Sequence, residues 1–454
     1  MIKSSLNDIA KQLNQSQPVK DALFEGISHD TRTLQPRNLY VAIQGENFDG
    51  HQFVIDALKK GASAALVSHP VQSDLPQLVM PDPLDALGKI TAKWRNQFTL
   101  PIIGVTGSNG KTTLKNMIAS ILRAACGDTS SVLATQGNLN NNIGLPLMLA
   151  RLNASHRYAV LEMGMNHWGE ISYLTQLAKP TVAVITNAAE SHLEGVGNNV
   201  AGVARAKGEI FEGLPAQGIA VLNRDDAHFD YWKNLVKNHT MITFGLDNPA
   251  DVTATLTDNE ITLKTPHGNI QLTLPLLGKH NIRNALAATA CALAAQIDLA
   301  SIKTGLENVK PAPGRMRLYG LSNDIRLIDD TYNANPFSTE AAVQTLKNFS
   351  GPKIVVLGDM KELGENTYEL HTLTGHRIRE ANIDHLLTLG KLTEATTKAF
   401  GSGAQHFTDK EALLAALKPL LQKGTNLLIK GSRSMKMEYF VEHLVPQEQL
   451  EDSH

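Results

Sequence analysis

The chain reads as an α/β protein of three domains, and three observations carry that reading. Its 454 residues exceed what one hydrophobic core usually organises. Two long stretches alternate short apolar strands with helical runs, the rhythm of helices laid over a mainly parallel sheet. Proline-rich breaks at Pro81-Asp-Pro83 and Pro311-Ala-Pro313-Gly314 separate these stretches from each other and from a smaller leading unit. They predict domains over residues 1–82, 83–313 and 314–454.

The leading unit is mixed α/β. Leu6 to Leu13 has helical spacing, Leu39 to Ile43 reads as a strand and Phe53 to Lys60 as a helix, with short strands over 64–67 and 78–79. Two polar clusters interrupt it, Ser28-His-Asp-Thr-Arg32 and Gln44-Gly-Glu-Asn-Phe-Asp-Gly-His51. Each carries groups that suit a sugar or nucleotide, yet on spacing alone each reads rather as a solvated turn.

The central stretch places strands at 102–106, 132–135, 159–163, 182–186 and 219–223, with helical runs over 114–125, 168–178 and 200–214. Strands this uniformly apolar belong to a sheet covered on both faces. Thr-rich alternation over 252–274 predicts a few antiparallel strands, followed by helices over 281–295 and 299–308. The last stretch repeats the pattern, with parallel strands at 325–329, 353–357, 385–389 and 426–430. Each ends in a polar or glycine-rich loop, where open α/β sheets gather their ligands.

Composition narrows the partners. Lys+Arg 42 against Asp+Glu 44 leaves a net charge of -2, so no global field favours nucleic acid or a membrane surface. Cys126 and Cys291 fall in apolar helical runs and form neither a disulfide framework nor a zinc pattern. No stretch approaches the ~20 apolar residues of a membrane span, and the opening residues lack the apolar core of a signal peptide. A soluble, cytoplasmic protein is expected.

The chemistry centres on Ile102-Ile-Gly-Val-Thr-Gly-Ser-Asn-Gly-Lys-Thr-Thr113. Small residues let backbone N–H groups close around phosphate oxygens, and the helix that follows adds favourable partial charge. Lys111 reaches a terminal phosphate in such loops and the Thr112 hydroxyl can ligate Mg²⁺. The spacing departs from G-x-x-x-x-G-K-[ST], because Gly107 lies only three residues before Gly110 and Val105 stands where that pattern has glycine. The strand, Gly-x-x-Gly-Lys-Thr and helix context nevertheless outweighs an ordinary corner with a surface lysine. Glu162 ends an apolar strand, where an ionised carboxylate needs a partner: a metal ion beside the phosphate loop or an Arg or Lys. His192 follows another strand end and by itself reads as a loop histidine. Lys207, in an apolar-flanked helix, draws notice only in the company of the other motifs.

Together these motifs resemble the Mur ligases of peptidoglycan synthesis, most closely the branch that adds D-alanyl-D-alanine to UDP-N-acetylmuramoyl-tripeptide. The resemblance rests on Thr106–Thr113, Gly137-Asn-Leu-Asn-Asn-Asn-Ile-Gly-Leu-Pro146, Leu161-Glu-Met-Gly-Met-Asn166, Thr186-Asn-Ala-Ala-Glu-Ser-His-Leu193 and Ala206-Lys-Gly-Glu-Ile-Phe211. It continues through Gly278-Lys-His-Asn-Ile-Arg-Asn284, Pro313-Gly-Arg-Met316, Asp329-Asp-Thr-Tyr-Asn-Ala-Asn-Pro336, Gly358-Asp-Met-Lys-Glu-Leu-Gly364 and Lys430-Gly-Ser-Arg433. These run in family order over nearly the whole chain.

The resemblance implies a UDP-sugar domain, a central ATPase domain and a mobile, Rossmann-like C-terminal domain. It implies ATP-driven amide bond formation through an acyl phosphate, with D-alanyl-D-alanine as the incoming amine, in a monomer. Gly107, Ser108, Asn109, Gly110, Lys111, Thr112 and Thr113 would hold the phosphates of ATP, with Lys111 stabilising the transferring phosphoryl group. Thr112 and Glu162 would hold one Mg²⁺. His192 would hold a second with Lys207, which in the family is typically carbamylated. Lys279, His280, Asn281 and Asn284 would lie near the adenine, and Arg315 and Asp330 near the ribose and phosphates. Ser28, Asp30, Arg32, Gly45, Asn47, Asp49 and His51 would contact the UDP-sugar, and Asn138, Asn140 and Asn141 would line the same substrate's path. Asn333, Asn335, Asp359 and Met360 would face the dipeptide. Substrates would draw the last two domains together about Pro311–Gly314.

Two sister enzymes share the central motifs. The diaminopimelate-adding ligase carries Asp-Asn-Pro-Arg in its last domain, whereas here the near match is Asp247-Asn-Pro-Ala250 in the middle. Folylpolyglutamate synthase lacks the leading UDP-sugar unit. A GTPase switch would need Asn-Lys-x-Asp, which does not occur.

Overall fold

The computed structural model describes residues 1–15, 20–45, 48–257 and 260–451. Asn47, expected at the sugar site, lies outside them. The leading unit is a four-stranded parallel sheet, in the order Ile27–Ser28, Leu39–Val41, Ala64–Val67, Gln77–Val79, beside an antiparallel pair, Lys3–Ser5 with Leu23–Glu25. The helix Leu6–Gln12 begins where the Ser5 hydroxyl accepts the Asp8 N–H, a side-chain N-cap.

The break at Pro81–Pro83 opens a helix, Pro83–Arg95, with Asp82 accepting the N–H groups of Leu84 and Asp85 and proline in its first turn. Proline is tolerated there because that N–H has no helical partner. Ala86, Leu87 and Ile90 bury into the core of the leading unit. The far end is tied to the central unit: Trp94 donates to the Leu152 carbonyl, and the Arg95 guanidinium donates to Ala178, Lys179 and Phe98 carbonyls.

The central sheet has six parallel strands in the order Thr240–Phe244, Ile219–Asn223, Val182–Ile185, Ile102–Thr106, Tyr158–Glu162, Val132–Ala134. Every residue of Ile102–Thr106 and Val182–Ile185 is buried, as a sheet covered on both faces requires. On one face lie Lys111–Cys126 and the alanine-rich Lys279–Ala294; on the other, Leu145, Met148, Ile171 and Trp232 are packed. The Thr-rich stretch forms a three-stranded antiparallel sheet, Thr253–Leu256, Ile261–Thr265 and Gly268–Leu272.

The C-terminal sheet runs Arg317–Gly320, Arg326–Asp330, Asn426–Lys430, Lys353–Gly358, His385–Leu389, Ala404–Phe407. Its first, edge strand is antiparallel and the rest are parallel. Among the described residues no helix is long and apolar enough to cross a membrane.

Candidate active site

The strand Ile102–Thr106 delivers the chain into the turn 107–110, and the helix starts at Lys111. Gly107 has φ 149°, and a Cβ there would stand 1.7 Å from Thr186 Oγ1. The turn is braced from the next strand end. Ser108 N–H donates to the Asn187 carbonyl, Asn109 N–H to Asn187 Oδ1, and Thr186 Oγ1 to the Asn109 carbonyl. The amides of Ser108 and Asn109 are therefore spent on the scaffold. No side chain caps the helix, so its opening amides are the ones available to an anion.

Lys111 Nζ donates to the Gly107 carbonyl at 2.7 Å, folded back over the turn. Burial lowers its pKa, with Arg315 adding to the effect and Glu162 opposing it. Glu162 is buried at the strand end, where Oε2 accepts the Thr112 hydroxyl at 3.0 Å and Oε1 the Asn140 amide at 2.8 Å. Thr112 Oγ1 and Glu162 Oε2 form a pair of hard oxygen donors at the phosphate loop. That set fits Mg²⁺, which takes few protein ligands and completes its shell with water and phosphate oxygens.

Lys207 is 2% exposed. Burial, then the nearby Lys111 charge, drives its ammonium well below the ordinary lysine range, and no carboxylate counters them. His192 adopts φ 55° and pairs through Nδ1 with Glu362 Oε2, 2.9 Å away on a C-terminal loop. That pairing lowers the Glu362 pKa. Among the described residues no group of three or more His, Cys, Asp or Glu side chains could hold a metal. His192 and an unmodified Lys207 do not make a second cation site by themselves.

A cleft of about 380 Å³ lies between the central and C-terminal sheets. Eighteen of the anticipated residues line it: Ser108, Asn109, Gly110, Lys111, Thr113, Asn138, Asn140, Asn141, Glu162, His192, Lys207, His280, Asn281, Asn284, Arg315, Asp330, Asn333 and Asn335. Burial drops His280 to about 4, leaving a neutral ring. Arg315 stacks on Tyr332 with its guanidinium carbon 4.0 Å from the ring centre, and its buried Nε has no partner. Asp330 accepts Lys430 Nζ at 2.5 Å and the Met316 N–H. Asn335 caps the helix Pro336–Lys347 and reaches across to donate to Asn109 Oδ1 at 2.9 Å. The C-terminal domain thus touches the phosphate loop directly.

Three family profiles match the chain: the Mur ligase middle domain over 105–292, the Mur ligase glutamate ligase domain over 314–433, and the Mur ligase catalytic domain over 23–95. The UDP-N-acetylmuramoyl-tripeptide–D-alanyl-D-alanine ligase of Escherichia coli is 43% identical over 98% of this chain and 99% of its own. This chain belongs to the Mur ligase family. Among solved structures, MurF from Acinetobacter baumannii superposes with a TM-score of 0.90 at 34% identity, covering 98% of this chain and 99% of that one. MurF from Thermotoga maritima, in complex with ADP, gives 0.82 at 26% identity, covering 95% and 99%.

In this Mur ligase some anticipated residues lie elsewhere. Asp359 and Met360 do not face the cleft. The Asp359 carboxylate is buried, accepting the N–H groups of Lys391, Leu392 and Thr393 and the Thr393 hydroxyl. Met360 is fully buried with Ala334 and Leu363. Ser28, Asp30, Arg32, Gly45, Asp49 and His51 also lie off the cleft. Asp30 accepts the Arg32 guanidinium and N–H, which holds its carboxyl down at about 2. His51 Nε2 accepts the Ser68 N–H, so Nδ1 carries the proton given to Asp49 at 2.6 Å. Lys279 is exposed, and Gly107 and Thr112 are not among the residues that line the cleft.

Sequence reasoning missed Tyr332, Lys430, Asn187 and Ser191, all of which line the cleft, and Glu362 at its rim. All five sit inside motifs quoted above, so position within a motif is the usable signal.

Proposed function

We propose that this Mur ligase joins D-alanyl-D-alanine to UDP-N-acetylmuramoyl-tripeptide, consuming ATP and releasing ADP and phosphate, in cytoplasmic peptidoglycan precursor synthesis. The observation that carries the reading is one cleft in which the lysine–threonine loop, Glu162 and Lys207, which has no hydrogen-bond partner among the described residues, meet Arg315 and Asp330 from the other domain. We read the enzyme as acting as a monomer.

A carboxylate oxygen of the tripeptide attacks the γ-phosphorus, forming an O–P bond as the bond to ADP breaks. The dipeptide's ammonium gives up one proton, and the neutral nitrogen then attacks the acyl carbon; the C–N bond forms, the C–O bond to phosphate breaks, and a second proton leaves the nitrogen. Lys111, released from the Gly107 carbonyl, follows the charge that develops on the transferring group. Thr112 and Glu162 would hold one Mg²⁺, which when bound neutralises phosphate charge. The uncharged amine of a desolvated Lys207 can add CO₂, and the resulting carbamate would give His192 an anionic co-ligand for a second Mg²⁺. The neutral His280, Asn281, Asn284 and Arg315 form the nucleotide's far wall, and Asn138, Asn140 and Asn141 edge the acceptor's path. The leading unit's loops at Ser28–Arg32 and Gly45–His51 are its UDP-sugar end.

The test is ATP-dependent phosphate release with each substrate omitted in turn. Release and an amide product that require all three support the reading. Turnover with a single amino acid or a folate acceptor in place of the dipeptide would replace it with a sister activity.

A further inference from the structure

The incoming dipeptide presents an ammonium group, and a buried cationic cleft must offer it a carboxylate. Three carboxylates line the cleft, and all are committed. Glu162 serves Thr112 and Asn140. Glu170 accepts the N–H groups of Asn166 and His167. Asp330 holds Lys430.

Glu362 at the rim differs. Its one side-chain partner among the described residues is His192, and its side chain is 59% exposed. Its backbone sits at φ 64°, uncommon for a residue with a side chain. The loop is fixed on both flanks to keep it there. Met360 N–H donates to the buried His371 Nε2, and Lys361 N–H donates to Ser432 Oγ. Beyond it, Gly364 comes so close to the central domain that a Cβ would lie 3.0 Å from Asn198 Oδ1. The facing segment is strained in the same sense, with His192 at φ 55° and Asn198 at φ 57°. Paired strained positions at a domain contact mark a place where geometry is held for use rather than for stability.

We propose that Glu362 is the carboxylate that receives the ammonium group of the incoming dipeptide, exchanging the His192 imidazole for it as the substrate arrives. The inference deepens the ligase reading and rests on it. Glu362 is carried by the C-terminal domain and touches a residue at the reacting corner of the central one. It therefore brings the amine to the acyl group only when the two domains are apposed. The glutamine variant tests the charge and not the hydrogen bond, since its amide oxygen can still accept from His192.

The experiment compares wild type, Glu362→Gln and Glu362→Asp in two assays. The first is full turnover with varied D-alanyl-D-alanine. The second omits the dipeptide and traps the acyl phosphate with hydroxylamine, which carries no positive charge at neutral pH. Glu362→Gln is expected to raise the dipeptide KM roughly tenfold or more, because its amide oxygen still accepts from the ammonium but no longer carries the charge that makes such a bond strong. Hydroxamate formation and ATP KM should stay within twofold, with Glu362→Asp intermediate. An unchanged dipeptide KM in a folded Glu362→Gln enzyme overturns the inference. So does hydroxamate formation falling in step with full turnover, which would place Glu362 in service of His192 instead. If wild type itself makes hydroxamate but ignores the dipeptide, the ligase reading fails, and it does so before any variant is made.

Discussion

Replacing Lys207 by methionine separates what this residue does for chemistry from what it does for the fold. The residue is 2% exposed, the charge acting on its amine is another cation, Lys111, and among the described residues no carboxylate offsets the loss of water. Methionine keeps the stem volume and removes the desolvated nitrogen. Removing a buried polar group that lacks a compensating hydrogen bond spares roughly 1–3 kcal/mol, and a central unit of this size gains about 2–4 °C in Tm per kcal/mol. The variant should therefore melt several degrees higher in CO₂-purged, metal-free buffer, while ligase turnover falls by about 10²-fold or more, as when one preorganised electrostatic group is lost.

The sign with pH follows from the lowered folded-state pKa. Above the unfolded lysine value both states are neutral and the lysine carries no penalty. As pH falls below it, the unfolded chain gains a proton that the folded one refuses, so the wild type loses stability relative to the variant. The Tm advantage of Lys207→Met should thus widen from pH 10 to pH 7. A variant that melts lower than wild type in that buffer would refute the reasoning, because it would mean the amine makes a favourable contact.

Four further outcomes are expected. Glu162→Gln keeps one oxygen to accept the Asn140 amide and turns an N–H toward the Thr112 hydroxyl, which can accept it, so Tm should hold within a few degrees while the Mg²⁺ concentration for half-maximal phosphate release rises; an unchanged Mg²⁺ titration would remove Glu162 from the metal. Gly107→Ala forces a Cβ onto Thr186 and should cost about 1–3 kcal/mol and abolish nucleotide binding, read by calorimetry with ADP. Asp359→Asn sets an amide against the Lys391 N–H and should cost the C-terminal domain about 2–3 kcal/mol in urea unfolding, leaving ADP affinity intact. The Asp30 carboxylate, held at about 2 mainly by Arg32, adds stability that is complete above its ordinary value near 4 and is lost as pH falls through about 2. NMR titration of Arg32→Ala should show the Asp30 midpoint moving up.

Much of the fold was legible because its signals are local. Strands such as Ile219–Asn223 and His385–Leu389 are short, mainly apolar runs between turn residues, and their existence follows from composition. The two edge strands of the C-terminal sheet escaped notice for the opposite reason. Arg317–Gly320 and Ala404–Phe407 each pair on one side only and carry exposed residues, so their sequences look like loops. The run 200–214 was read as one helix but tightens into a 3₁₀ turn at Glu209–Gly213, where a Gly213 Cβ would strike the Thr175 backbone.

For the site, the phosphate loop and Glu162 could be read because strand–turn–helix context fixes where such residues point. The Glu362–His192 pair could not, since the two lie on different domains 170 positions apart. Asp359 shows the converse hazard. A polar residue at a strand's carboxyl end looks like a ligand contact, yet its oxygens are consumed by the helix that starts at Thr393.

The helix Pro83–Arg95 has a consequence for how the substrate is measured. One of its faces completes the core of the leading unit, and its last turn is pinned to the central unit through Trp94 and Arg95. The two units are riveted at folding, as jaw and handle of one tool. On the function proposed above, the span from the nucleotide-sugar end to the phosphate loop is set by the folded chain, a gauge against which a peptide stem is measured as its carboxylate approaches the γ-phosphate.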